Sequence, residues 1–330
     1  MDEPMPKEIR KVSFGSPDAE RELETARVFV TNIKNSPPFS KKPGQFLIMT
    51  WHGSLHYGIF KDIEHDAEAQ LSPRYVAVSK LNSKLTDLML SPSAKSTAEI
   101  PNLFWYDGEI LESGIPRTDI LFNAEQSLID RVKSHFGVPP TNRIMLYAPT
   151  FRDKPEDNLS ACRLDFDRLL KVLKKKFRGE WTLMIRFHPN VARYNLIDYL
   201  VKPSDKILDA THYPDVQELI AASDMVITDY SGIALDFMLM HKPVFLYATD
   251  IETYPKERGL KQSYFDLPLA HNRTEDDLFN CIARYNEKVG RERNDKFIST
   301  FESFNDGHAS TRVVDRIVEV ISKPIKSVPR

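Results

Sequence analysis

The sequence predicts an α/β protein built on parallel sheets, and two observations carry that expectation. Short apolar runs rich in β-branched and aromatic residues recur along the chain, as in strands covered on both faces. Segments of helical or mixed character lie between them, and strands alternating with helices mark α/β architecture.

In chain order, the first half has the runs ARVFVTN (26–32), QFLIMTWHG (45–53) and YVAVSK (75–80). The second half has RIMLYAPT (143–150), WTLMIRFHP (181–189), DMVITDY (224–230) and PVFLYA (243–248). A helix is predicted over 163–177, because Phe166, Leu169, Leu170, Leu173 and Phe177 fall on one face. Another helical segment, AEQSLIDRVKSHFGV, precedes the turn PPTN and the strand that starts at Arg143. The domain division is therefore placed within 120–142, with a first domain at 1–125 and a second at 126–330. About three strands are visible in the first domain, so either its sheet is small or an N-terminal portion is missing. The stretch NDGHASTRVVDRIVEVISK reads as a C-terminal helix capped by Asp306 or Ser310. Val313, Val314, Ile317 and Ile321 form its apolar stripe, and the basic tail KPIKSVPR frays.

Composition narrows the function classes. With 41% hydrophobic and 28% charged residues, the chain is of ordinary globular type. A net charge of -2 gives no chain-wide signal for nucleic acid. Cys162 and Cys281 stand far apart with no metal-like spacing, which fits a reducing compartment and argues against a disulfide scaffold. The first residues are charged and lack the apolar centre of a signal peptide. No apolar run approaches the ~20 residues of a membrane span. The expected location is the cytoplasm.

Four strand ends carry candidate chemistry. The first is the corner Thr228-Asp229-Tyr230-Ser231-Gly232, between a buried strand and an apolar helix. A parallel strand delivers its carboxyl end to the ligand crevice, and the helix that follows offers free N–H groups to an anion. Thr228, Ser231 and Gly232 then suit a phosphate or pyrophosphate. The alternative is that Ser231 only caps the helix and Gly232 only relieves crowding. Asp236 is the lone acid on that helix; it either accepts from a ligand hydroxyl or faces water. The second is RFHPN (186–190), where Pro189 stops the ladder and Arg186 shares a face with His188. A cation beside a histidine suits a phosphate ester; a structural histidine is the alternative. The third is TWHGSLHYG (50–58), ending a strand at His52-Gly53. His52 and His56 are four apart, but Gly53 stands where the zinc-protease pattern needs Glu, so His52 reads as a general base or a structural histidine rather than a metal ligand. The fourth is YAPTFRD (147–153), which brings Thr150, Arg152 and Asp153 to the same edge or merely anchors a loop. Lys171, Lys174, Lys175, Lys176 and Arg178 form a basic helix face and turn, either solvated or turned to an anionic surface or polymer. Dinucleotide, P-loop and nucleophile-elbow motifs are missing from the sequence.

The order of these pieces resembles one family. WHG (51–53), GEILESGIPRTDIL (108–121), LYAPTFRD (146–153), RFHP (186–189), DVQELIAASDMVITDYSG (215–232), KPVFLY (242–247) and FNDGHASTRVV (304–314) resemble the CDP-glycerol glycerophosphotransferases of teichoic acid and capsule polymer synthesis, over roughly residues 20–320. The resemblance implies a GT-B-like fold, with two Rossmann-like domains whose parallel sheets face a central cleft. It implies transfer of glycerol phosphate, or a related polyol phosphate, from a CDP-activated donor to an acceptor hydroxyl, with release of CMP. His52 would be the base on that hydroxyl. His188 would stabilise the donor phosphates beside Arg186, and Thr228, Asp229, Ser231 and Gly232 would bind the donor, with Thr150, Arg152 and Asp236 added to that set. No dedicated metal site is expected, although Mg²⁺ could accompany the donor pyrophosphate. The implied acceptor is lipid-linked or polymeric, which would place the protein at the inner membrane face. The rivals are a GT-B glycosyltransferase using a nucleotide sugar, and an inactive polymer-binding member. Two departures stand out. The family usually continues WHG with Thr-Pro-Leu-Lys-Lys, whereas this chain has Ser54-Leu55-His56-Tyr57-Gly58, and its corner has Ser-Gly where Ser-Ser is commoner. The sequence before residue 20 is also short for the family, which supports a trimmed first domain.

Overall fold

A computed structural model describes residues 7–34, 40–53, 72–188, 204–254 and 262–324. Pro189 and the stretch Ser54–Gly58, including His56, lie outside the described residues. The chain divides into two units: one takes the residues up to Pro116 together with Ser303 onward, and the other takes Arg117–Glu302.

The first unit begins with α1 (Pro17–Thr25), β1 (Val28–Thr31), β2 (Phe46–Met49), α2 (Pro73–Leu85), β3 (Leu88–Leu90), α3 (Ala94–Phe104) and β4 (Glu109–Leu111). Its four strands lie in the order β1-β2-β3-β4, all parallel. The run 75–80, expected as a strand, is helical. Ser72 caps α2 by accepting from the Tyr75 amide, Pro73 opens it, and Val76, Ser79 and Ser83 are buried at helical spacing. A six-residue apolar run fits either period, and the residues flanking this one decide for helix. The missing strands are β3 and β4, three residues each, too short to show a pattern.

The second unit contains α4 (Asp119–Phe122), α5 (Gln126–His135), β5 (Arg143–Ala148), α6 (Pro155–Cys162), α7 (Phe166–Phe177), β6 (Trp181–Ile185), β7 (Ile207–Asp209), α8 (Val216–Ala222), β8 (Met225–Thr228), α9 (Ile233–Leu239), β9 (Val244–Tyr247), α10 (Gln262–Phe265), β10 (His271–Asn272), α11 (Glu275–Arg284) and α12 (Glu287–Ser299). Its six parallel strands are ordered β10-β9-β8-β5-β6-β7. The chain runs outward from β5 to β7, then returns to β8 on the other side of β5. The reversal point is therefore between β5 and β8, where open α/β sheets bind ligands. Phe166, Leu169 and Leu173 of α7 are buried with Met145, Trp181, Leu183 and Leu278, and Leu170 and Phe177 pack against the same core.

The final helix, α13 (Ala309–Ser322), belongs to the first unit. Arg27 donates to the Val320 and Lys323 carbonyls, and Arg316 pairs with Glu109. The expected division at 125/126 thus gives way to one at 116/117, with the last helix rejoining the first sheet. Neither expected cap holds the start of α13. His308 occupies the N-cap with no side-chain bond, while Asp306 accepts from the His308 amide and pairs with Arg312. The buried positions are Ala309, Val313 and Val320. Val314 and Ile321, expected on the buried stripe, are 54% and 52% exposed, because a single helix face meets the sheet.

Candidate active site

The carboxyl ends of β5 and β8 are tied together by buried polar groups. Thr228 Oγ1 donates to the Ala148 carbonyl at 2.7 Å. The Asp229 carboxylate, 2% exposed, accepts from the amides of Thr150 (2.8 Å) and Tyr230 (2.7 Å) and from Arg152 Nη1 (2.9 Å). Arg152 also forks onto Asp250, from Nε at 2.7 Å and Nη2 at 2.9 Å, and donates to the Thr150 carbonyl. Tyr230 donates to Asp250 at 2.9 Å and stacks on Tyr254 at 4.0 Å. The Arg152 guanidinium lies 4.6 Å from the Tyr254 ring centre, and Tyr264 donates to the Asp229 carbonyl at 3.0 Å. Burial works against the Arg152 charge, but the Asp229 and Asp250 carboxylates more than offset it, so its pKa is raised.

This network sorts the expected donor ligands. Thr228, Asp229 and Arg152 shape the corner from within: each is buried, and their polar atoms are spent on the protein. Ser231, Gly232 and Thr150 are the half-buried members at the same edge. Ser231 Oγ accepts from the Ile233 amide at 3.3 Å, but Gly232 occupies the N-cap of α9 and no side chain caps it, so Ser231 stands one residue before the expected capping position. Gly232 has φ of -59°, so no left-handed turn demands a glycine there. Thr150 Oγ1 has no hydrogen-bond partner among the described residues. Asp236 does not face water. It is 2% exposed, and Arg117 donates to both its oxygens, at 2.9 and 3.3 Å.

One strand over, Arg186 follows β6. Its Nη1 donates to the carbonyls of Ala210 (2.9 Å) and Tyr213 (2.7 Å). Burial lowers its pKa, against the pull of Asp215 and Asp209. His188 is exposed, with its ring 4.7 Å from that of Phe151. Partial burial, and then the charge of Arg186, lower its pKa. The neutral imidazole is therefore its form at pH 7, with one nitrogen able to donate and one to accept.

In the first unit, the Thr50 amide donates to the Thr31 carbonyl at 2.8 Å, and Trp51 then turns into the left-handed region at φ 54°. A bulky residue there is strained. His52 Nδ1 lies 3.1 Å from the Asn32 carbonyl. A carbonyl oxygen only accepts, so Nδ1 carries the proton and Nε2 keeps its lone pair, the tautomer a base requires.

Sequence reasoning missed Asp250, Tyr230, Tyr254, Tyr264 and Arg117 as parts of this machinery. Asp250 closely follows a strand end, as the other candidates do, and Arg117 lies in the GIPRTD stretch, so both had a signal. Tyr254 and Tyr264 had none. A cavity of 570 Å³ opens beside the network, lined by Arg152, Asp153, Lys154, Asp157, Asp250 and Tyr254 among others. Three carboxylates against two cations favour hydroxyls or cations there over a pyrophosphate. Among the described residues, no group of three or more His, Cys, Asp or Glu side chains could hold a metal, and no helix is long and apolar enough to cross a membrane.

Comparison with known proteins gives consistent matches. The family model for CDP-glycerol:poly(glycerophosphate) glycerophosphotransferase matches residues 2–319. A teichoic acid poly(glycerol phosphate) polymerase from Staphylococcus epidermidis is 30% identical over 95% of this chain, which spans 44% of that protein. A teichoic acid glycerol-phosphate transferase from Staphylococcus aureus is 26% identical, over 89% of this chain and 77% of that protein. Among solved structures, the wall teichoic acid polymerase TagF soaked with CDPG superposes with a TM-score of 0.80 at 27% identity, over 97% of this chain and 78% of that one. The architecture is GT-B-like, with two parallel sheets.

Proposed function

This chain belongs to the CDP-glycerol:poly(glycerophosphate) glycerophosphotransferase family, and on that premise we propose that it moves glycerol phosphate, or a related polyol phosphate, from a CDP-activated donor to an acceptor hydroxyl in surface polymer synthesis. The observation that carries the reading is the corner 228–232 at the reversal point of the six-stranded sheet, held rigid by Asp229 and Arg152. In the proposed reaction the acceptor oxygen attacks the phosphorus that bears the polyol. The bridging P–O bond breaks, CMP leaves, and the hydroxyl proton passes to His52 Nε2. Ser231, Gly232 and Thr150 receive the donor pyrophosphate through backbone N–H groups and hydroxyls, with Arg186 and neutral His188 beside it to stabilise charge on the transferring phosphoryl group. Asp236 acts through Arg117 rather than by direct contact. Any Mg²⁺ would be held by the donor pyrophosphate.

The acceptor is proposed to be lipid-linked, and the basic face of α7 to bring the protein to an anionic membrane surface. Lys171 and Lys175 on that face are exposed, whereas Lys174 is paired with Glu180. The test is release of CMP from CDP-glycerol by purified protein given a lipid-linked glycerol-phosphate primer, alongside thermal shifts with CDP-glycerol, CDP-ribitol and UDP-sugars. The expected result is turnover and stabilisation with a CDP-polyol only. Stabilisation by a UDP-sugar with none by a CDP-polyol would overturn the reading.

A further inference from the structure

Lys34 lies two residues after Asn32, whose carbonyl holds His52 Nδ1. Its ammonium nitrogen sits 6.0 Å from the Trp51 ring centre, 5.3 Å from Phe104 and 5.6 Å from Trp105. The Trp51 indole is in turn packed edge-on against Phe104 at 5.0 Å and lies over the His52 ring at 4.1 Å. One short segment therefore grips the Trp51–His52 pair at two points. Asn32 fixes the histidine tautomer, and the Lys34 ammonium stands among the Trp51, Phe104 and Trp105 rings.

That second grip has work to do. Trp51 sits at φ 54°, a conformation that strains a bulky residue and persists only where its surroundings over-determine it. The Lys34 side chain wedged among three rings supplies such a constraint. Burial lowers the Lys34 pKa to about 7, so at neutral pH the cage can hold the amine without the full cost of a buried charge. We propose that Lys34 is a positioning residue for the transfer reaction: by packing against Trp51 it holds His52 in the Nδ1–H tautomer with Nε2 presented as the base. The inference rests on His52 being the acceptor-side base.

The test compares Lys34→Ala with Lys34→Met, which keeps a flexible side chain that packs against aromatic rings. Two readouts are used on the full chain: kcat and KM for CDP-glycerol, and the His52 ring nitrogens in ¹⁵N-histidine NMR, assigned with His52→Ala. Lys34→Ala should lower kcat roughly tenfold to a hundredfold, leave KM for CDP-glycerol unchanged, and convert the Nδ1–H signal to a tautomer mixture. Lys34→Met should restore kcat to within about threefold and keep the single tautomer. Wild-type kcat and tautomer in Lys34→Ala would overturn the proposal, as would loss of kcat in both variants with the tautomer intact. If Lys34→Ala does not fold, the methionine variant decides: a tautomer mixture there overturns the proposal. If the wild-type protein shows no transfer, the functional reading fails, and the NMR comparison still judges the clamp.

Discussion

The loop after β8 and the loop after β2 each end a buried parallel strand, yet they are held in opposite ways. After β8, Asp229 and Arg152 are buried and engage each other, Asp250, two amides and a carbonyl. After β2, exposed His52 has one hydrogen bond among the described residues, to a carbonyl, and strained Trp51 relies on neighbouring rings. The first arrangement places its groups by removing alternatives, since a buried charge without its partner is costly. The second leaves a side chain whose chemistry is exposed and whose geometry depends on local packing. Damage to the first should therefore be read in stability, and damage to the second in rate.

Asp229→Ala gives the largest effect. It strands the Thr150 amide and deprives Arg152 of one of its two carboxylates. Breaking a buried pair from one side costs about 3–5 kcal/mol, and donor binding should be lost with it. Urea unfolding followed by fluorescence measures the cost. A loss below about 1 kcal/mol, the worth of one ordinary hydrogen bond, would break the comparison.

His52→Ala should do the reverse. Removal of a general base costs about 10²–10⁴-fold in turnover, while the side chain is exposed and its bond to the Asn32 carbonyl contributes little to stability. CMP release should collapse while the unfolding midpoint stays put. A midpoint shift as large as that of Asp229→Ala would erase the distinction between the two loops.

The two loops also differ in how far the sequence revealed them. Strand ends at 143–150, 181–188 and 224–232 were legible because long apolar runs stop at polar residues. The helix over 163–177 was legible because its apolar spacing fits only one period. The run 75–80 was not, because its apolar residues suit either period and the deciding cap, Ser72, lies outside it. The role of Arg152 was hidden for a different reason. Its partners stand 77 and 98 residues away, and only sheet register brings them together, so a cation that reads as a phosphate ligand is found buried between carboxylates. Arg117 and Asp236, 119 residues apart, were obscured in the same way. The tautomer of His52 depends on a backbone carbonyl in another strand's loop, which no residue type announces.

The smallest effect sharpens the comparison on the second unit's exposed side. His188 has its pKa lowered first by burial and second by Arg186. The proposed reaction uses His188 in its neutral form, and its titration is read directly by ¹⁵N-histidine NMR. Arg186→Met removes the nearby positive charge and keeps the bulk. The His188 pKa should then rise, and its NMR titration should move to higher pH. Because burial is the larger cause, the shift should be partial. The same variant loses the bonds to the Ala210 and Tyr213 carbonyls, so the titration is followed where its unfolding curve shows the protein folded. A titration that stays in place or moves to lower pH would mean that Arg186 does not act on His188 electrostatically.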